Sequence, residues 1–255
     1  MKILKFKKIS NDKYKLYLDN NEEVILYEDV IIKNNLLLKK EIDTEGLCKI
    51  SNENIYMEAL TKAINYISIR MRSKKEIEDY LKKNNVDEKS INKITMTLMK
   101  KGYINDVSFT KSYINDQLLL TNYGPYKIKN NLIKLGITTD IIDDEINKID
   151  KNIIKGRIKK IIEKQLKIKK GSSNMIKIKL LNYMSNLGYD KSDILVVLSS
   201  FCIKTDKNIL EKEYSKLYNK YYKKYDKEKL EYFIIQKLYS KGYTKEEILS
   251  IKKSA

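Results

Sequence analysis

The chain has 255 residues, with 52 basic against 34 acidic side chains, a formal net charge of +18, one proline, eight glycines and no histidine. The missing histidine removes Ser-His and Cys-His catalysis and every His-containing metal site. No stretch approaches the roughly 18 apolar residues of a membrane helix. Few helix breakers among abundant Lys, Ile, Leu, Asn and Glu predict a mainly α, soluble, cytoplasmic protein.

Residues 1–56 are charge-balanced, with ten lysines and ten acidic residues. Tyr14, Leu16 and Leu18 alternate with Lys15 and Tyr17, the period of a strand. Val24-Ile25-Leu26-Tyr27 can return beside it after the turn-like Asp19-Asn20-Asn21-Glu22, where asparagine tolerates a positive φ. The reading is a small N-terminal β-hairpin cap, or a three-stranded one. Short helices over 29–56 follow, with Asp43 as an N-cap.

From Met57 the apolar period changes. Met57, Leu60, Ala63, Ile64 and Ile67 stand three to four apart, a helical stripe. Ser73-Lys74-Lys75-Glu76 is a capping box that opens a second helix on Ile77, Tyr80 and Leu81. Asp87 caps a third, which carries Ile91, Ile94, Leu98 and Met99 and stops at Gly102. The next helix runs from Asp106 with Phe109, Tyr113 and Leu120. Pro125 then suits the first position of its successor, and Thr138 or Thr139 caps the one after that. Ile154, Ile158, Ile161, Ile162 and Leu166 form a buried stripe whose Lys151, Lys155, Lys159 and Lys160 face away. Asp206, Asp226 and Thr244 are helix starts further on.

One pattern recurs through this region: an apolar residue, a second four positions on, a helix stop, then an apolar residue opening the next helix. The copies are Ile77/Leu81/Asn85/Val86, Ile128/Leu132/Gly136/Ile137, Leu180/Met184/Gly188/Tyr189 and Ile234/Leu238/Gly242/Tyr243. Their stops lie 51, 52 and 54 residues apart. A unit of that size cannot bury its apolar face alone. The expected organisation is an N-terminal segment, 1–56, and tandem three-helix repeats over 57–104, 105–150, 151–204 and 205–255, packed as an elongated curved array and acting as a monomer.

Catalytic chemistry is thin. Lys170-Gly171-Ser172 lacks the rest of a phosphate-binding loop, and Cys48 and Cys202 form no metal-ligand pair. Asp143-Asp144 reads as a solvated helix face. No enzyme, cofactor or metal is expected.

Charge points to partners instead. Residues 151–182 hold eleven basic residues against Glu163 alone. Such a field attracts nucleic acid or a nucleoprotein through salt-sensitive phosphate contacts. Arg70, Arg72, Lys74 and Lys75 cluster at a helix junction; planar guanidinium suits carboxylate or phosphate, and pairing with Glu76 or Asp79 inside the fold competes with that role. Tyr214, Tyr218, Tyr221, Tyr222 and Tyr225 interleave with Lys216, Lys220, Lys223 and Lys224, either to stack bases or to fill a core. The candidate contact set is Arg70, Arg72, Lys74, Lys75, Lys127, Lys129, Lys151, Lys155, Arg157, Lys159 and Lys160.

Residues 63–77, reading AINYISIRMRSKKEI, resemble the opening motif of the RecX family of recombination regulators. Gly102-Tyr-Ile-Asn-Asp106 with Phe109 and Tyr113 is similar to that family's second motif, and Gly124-Pro125 with Ile128, Leu132, Gly136 and Ile137 to a third. The match is clear over about 57–150, while 151–255 resembles diverged repeats. Asn84-Asn85 stands where the family commonly has a Lys-Gly-like stop. The resemblance implies a non-enzymatic protein that binds the RecA recombinase and its filament on single-stranded DNA. It implies restraint of ATP hydrolysis, strand exchange and filament growth. The alternative is a non-sequence-specific nucleic-acid-binding helical repeat protein that acts without RecA.

Overall fold

A computed structural model of the chain describes residues 1–252. It opens with an antiparallel meander of β1 (Ile3–Lys8), β2 (Lys13–Leu18) and β3 (Glu23–Tyr27) in the order β1-β2-β3. The expected hairpin is β2–β3, with Tyr14 opposite Leu26 and Leu16 opposite Val24. Asn21 takes the turn's left-handed conformation at φ 64°. Strand β1 completes the three-stranded form of the cap.

The helices are α1 (Glu28–Lys33), α2 (Thr44–Ile69), α3 (Lys74–Lys83), α4 (Glu88–Lys100), α5 (Asp106–Leu120), α6 (Pro125–Lys134), α7 (Thr139–Asn147), α8 (Lys151–Leu166), α9 (Ser173–Asn186), α10 (Lys191–Ser199), α11 (Lys207–Tyr221), α12 (Lys227–Ser240) and α13 (Lys245–Lys252). From α2 onward they follow in four triplets. One expectation is corrected here: the helix read as opening near Met57 opens at Thr44, where Asp43 Oδ1 accepts from the Gly46 amide at 2.8 Å. The reason is a change of partner along one helix. Leu47 and Ile50 join Leu16, Leu18, Leu26 and Val30 in a core under the sheet. Ala59, Leu60 and Ala63 join Ile77, Leu81, Ile91, Ile94 and Leu98 in the next core. Two cores demand two faces, so no single stripe runs the length of α2.

The recurring sequence pattern proves to be a helix-ending motif. Asn85, Gly136, Gly188 and Gly242 all adopt the left-handed conformation, with φ of 58°, 82°, 88° and 83°. Val86, Tyr189 and Tyr243 each donate a backbone N–H at 3.2 Å to the carbonyl five residues earlier, on Leu81, Met184 and Leu238. That bond satisfies a carbonyl the helix leaves free, and the apolar residue that makes it turns into the core.

The chain divides into two compact units. One comprises Met1–Phe109 with Leu135–Ile137, and the other comprises Thr110–Lys134 with the residues from Thr138 onward. Within the first unit the buried Ser73 accepts from the Glu76 amide at 3.2 Å, and its hydroxyl donates to the Leu135 carbonyl at 2.8 Å. Glu76 completes the capping box by accepting from the Ser73 amide at 3.1 Å. The second unit repeats the arrangement. Ser172 accepts from Met175 N at 3.2 Å and donates to the Lys241 carbonyl at 2.8 Å, while the Gly124 amide donates to the Leu187 carbonyl at 2.7 Å. In all three cases the donor opens the second helix of a triplet, and the acceptor immediately precedes the left-handed glycine of the next. A single hydrogen bond thus ties each of these helix starts to a left-handed turn of the same unit. A methyl group on Gly188 would lie 2.4 Å from the Lys127 nitrogen, so glycine is required for this approach as well as for its φ.

In the second unit, Ile154, Ile158, Ile161 and Ile162 pack with Ile176, Leu180, Met184, Tyr189 and Ile194. A further cluster joins Leu210, Leu230, Ile234, Leu238, Tyr243 and Ile248.

Candidate interaction surfaces

In the first unit, Arg70 and Arg72 follow the end of α2 and converge on one carboxylate. Glu76 Oε1 accepts from Arg70 Nη2 at 2.6 Å and lies 3.4 Å from Arg72 Nη1. Glu76, rather than Asp79, is therefore the internal partner. The Arg72 guanidinium carbon stands 3.9 Å over the Tyr66 ring, which is stacked on Tyr80 at 4.1 Å. Its side chain is 11% exposed, against 53% for Arg70. Lys74 pairs with Glu78 at 3.5 Å, and the stem of Lys75 lies against Gly136. This junction is a structural knot in which Arg70 keeps an open flank.

The other candidates belong to the second unit. Lys127 Nζ sits 4.3 Å from the Tyr123 ring centroid, and Lys129 pairs with Asp143 at 2.5 Å. Arg157 turns inward. Its Nη2 donates to the Thr121 carbonyl at 2.7 Å and reaches the Tyr123 carbonyl at 3.4 Å, and its Nη1 donates to the Leu118 carbonyl. Carbonyls at and beyond the end of α5 lack helical partners, and a planar fork serves several at once. Arg157 is thus engaged with the backbone rather than presented on a free surface. Nothing in the local sequence announces this, because the carbonyls lie more than 30 residues away.

Lys151, Lys155, Lys159 and Lys160 remain. All four are exposed on α8, opposite its buried isoleucines, and among the described residues no ion pair engages them. Lys151, Lys155 and Lys159 stand four apart, and the first turn contains no acid. Like charges at this spacing, and a cation at a helix N-terminus, each disfavour the helix by a few tenths of a kcal/mol. The charge therefore works against helix stability rather than for it. Among the described residues no group of three or more Cys, His, Asp or Glu is placed to hold a metal, and no helix is long and apolar enough to cross a membrane.

The Tyr–Lys run divides by depth. Tyr214 and Tyr221 pack against the last core, whereas Tyr218, Tyr222 and Tyr225 are exposed. Burial raises the Tyr214 hydroxyl above its ordinary value.

A family model for the first three-helix domain of RecX matches residues 59–94, from the second half of α2 into α4. The chain is 32% identical over 256 residues to regulatory protein RecX of Streptococcus uberis, covering 97% of this chain and 98% of the relative. It is 28% identical over 212 residues to regulatory protein RecX of Listeria welshimeri, covering 81% and 79%. A crystal structure of regulatory protein RecX superposes with a TM-score of 0.69 at 22% identity, over 78% of this chain and 98% of that one, and supports the fold. RecX from Lactobacillus salivarius superposes with a TM-score of 0.54 at 25% identity, over 57% and 95%. With nearly full-length similarity on both sides of the comparison, the chain belongs to the RecX family of regulatory proteins.

Proposed function

We propose that the protein binds RecA and RecA filaments on single-stranded DNA and restrains ATP hydrolysis, strand exchange and filament growth. The observation that carries this reading is the near full-length relationship to regulatory proteins named RecX. The unpaired lysines of α8 supply a means: a positive stripe steers the protein toward an acidic protein face or a phosphate backbone. Action is by binding rather than catalysis, with Arg70 a secondary contact. Arg72 and Arg157 maintain the framework.

Charge reversal at Lys155, Lys159 and Lys160 tests the proposed surface. The triple glutamate variant is expected to lose affinity for RecA–DNA filaments while its far-ultraviolet circular dichroism stays helical. Unaltered affinity removes α8 from the mechanism. Strong binding to naked DNA with no effect on RecA favours the general nucleic-acid binder.

A further inference from the structure

The fourth triplet departs from the other three at one position. The second helix of each earlier triplet opens on Ser73, Gly124 or Ser172, whose donor takes the carbonyl before the next left-handed glycine. In α12 the corresponding residue is Asp226. An ionised carboxylate accepts hydrogen bonds and donates none. The Asp226 side chain, which lies 3.8 Å from Lys229 Nζ, therefore cannot make the bond that the Ser73 and Ser172 hydroxyls make. Residues 226–229 are all exposed. The surface that is covered in the earlier triplets is open here.

Aromatic and cationic groups occupy it. A shallow hollow of about 400 Å³ is lined by Tyr225, Glu228, Lys229, Tyr232 and Phe233. Tyr225 stacks on Phe233 with centroids 5.2 Å apart, and Phe233 meets Tyr221 edge-on at 4.8 Å. Tyr218 and Tyr222 lie nearly parallel at 6.2 Å. Tyr222, Tyr225 and Tyr232 are 49%, 40% and 66% exposed, too much for rings that serve only a core. Residues 214–225 contain four lysines and no acid. Lys220 and Lys223 hold their ammonium groups 5.4 and 5.6 Å from the Tyr221 and Tyr222 rings.

We propose that this end of α11 and α12 is a stacking platform for single-stranded DNA. Tyr222, Tyr225 and Tyr232 take bases, and Lys220, Lys223 and Lys224 take the phosphates between them. Half-exposed rings call for a flat apolar partner, and the lysine run calls for a polyanion; an unpaired polynucleotide offers both. A duplex keeps its base faces stacked inside. Glu228 at the hollow disfavours phosphate there and leaves that space to a base. Stacking accepts any base, so little sequence preference is expected. The choice of DNA over RNA rests on the filament reading above, but the platform itself requires no RecA.

Binding of the full chain to a fluorescein-labelled oligothymidylate, followed by anisotropy without RecA, tests the platform. Tyr222→Ala and Tyr232→Ala are each expected to weaken binding on the order of tenfold, while Tyr222→Phe and Tyr232→Phe retain it. Lys223→Ala with Lys224→Ala is expected to reduce the slope of log affinity against log salt by about 0.7 for each phosphate no longer neutralised. Wild-type affinity in both Tyr→Ala variants would overturn the platform, as would equally tight binding of a duplex. Tighter binding of oligouridylate would overturn the assignment to DNA. The outcome is separable from the filament reading, which is judged by RecA activity: a failed platform with RecA still inhibited leaves that reading standing.

Discussion

Replacing Ser73 with alanine removes, with one oxygen, both the cap of α3 and the lock onto the next triplet. The cap bond from the Glu76 amide is worth about 1 kcal/mol. The bond to the Leu135 carbonyl spans 62 residues, and its loss leaves a part-buried acceptor unsatisfied at a cost of about 1 kcal/mol more. The expected destabilisation is about 2 kcal/mol, the sum of these two. Asp87→Ala is the matched control, because Asp87 Oδ1 caps α4 from the Ser90 amide at 2.9 Å and is exposed. Its loss should cost about 1 kcal/mol. Urea unfolding gives the two totals. Hydrogen exchange over residues 132–137 locates the difference, since Ser73→Ala should speed exchange there and Asp87→Ala should not. Equal costs and unchanged exchange in that segment would show that the hydroxyl is only a cap and that the triplets are held by apolar packing alone.

Gly188→Ala should cost about 3 kcal/mol or more, from the left-handed φ of 88° together with the 2.4 Å approach to Lys127 N. Gly102→Ala, at φ 76° with open space around it, should cost only about 1 kcal/mol; equal effects would deny the close approach. Arg157→Lys keeps the charge but loses the fork to three carbonyls, so thermal stability should fall by the equivalent of about 2 kcal/mol while filament affinity holds. Lost affinity at unchanged stability would return Arg157 to the contact set. The Tyr243 hydroxyl is pushed up to about 12 from its ordinary 10.0, first by burial and then by Glu213, Asp206 and Glu247. Its folded value exceeds its unfolded one, so its contribution is complete below pH 10 and is lost as pH rises toward about 12. Urea midpoints between those limits should fall more steeply for the wild type than for Tyr243→Phe, and parallel curves would refute the coupling.

What could be read beforehand was whatever is written locally. The stops at Asn85, Gly136, Gly188 and Gly242 need a residue that tolerates positive φ, and the Ser73–Glu76 box sits within four residues, so both are visible in the chain itself. The charge on α8 was legible for the same reason, since its lysines stand on one helix opposite its isoleucines. Long-range pairing was not. Asp43 marked the start of α2, but its run through Met57 into the first triplet was hidden because its first half answers to the sheet, and the fate of Arg157 depended on carbonyls brought to it by packing. For Arg70 and Arg72, Glu76 was one of two local choices, and only the geometry selects it. Ser73 announced its cap, but the Leu135 carbonyl that shares its hydroxyl comes from the next triplet.

The central claim is that the protein acts on RecA. The most direct measurement is RecA ATP hydrolysis on single-stranded DNA, titrated with this protein at fixed salt and using RecA from the same organism. The account predicts a fall at less than one protein per RecA that persists when excess DNA removes simple competition for the strand. Unchanged hydrolysis, despite strong binding of the protein to naked DNA, would contradict it.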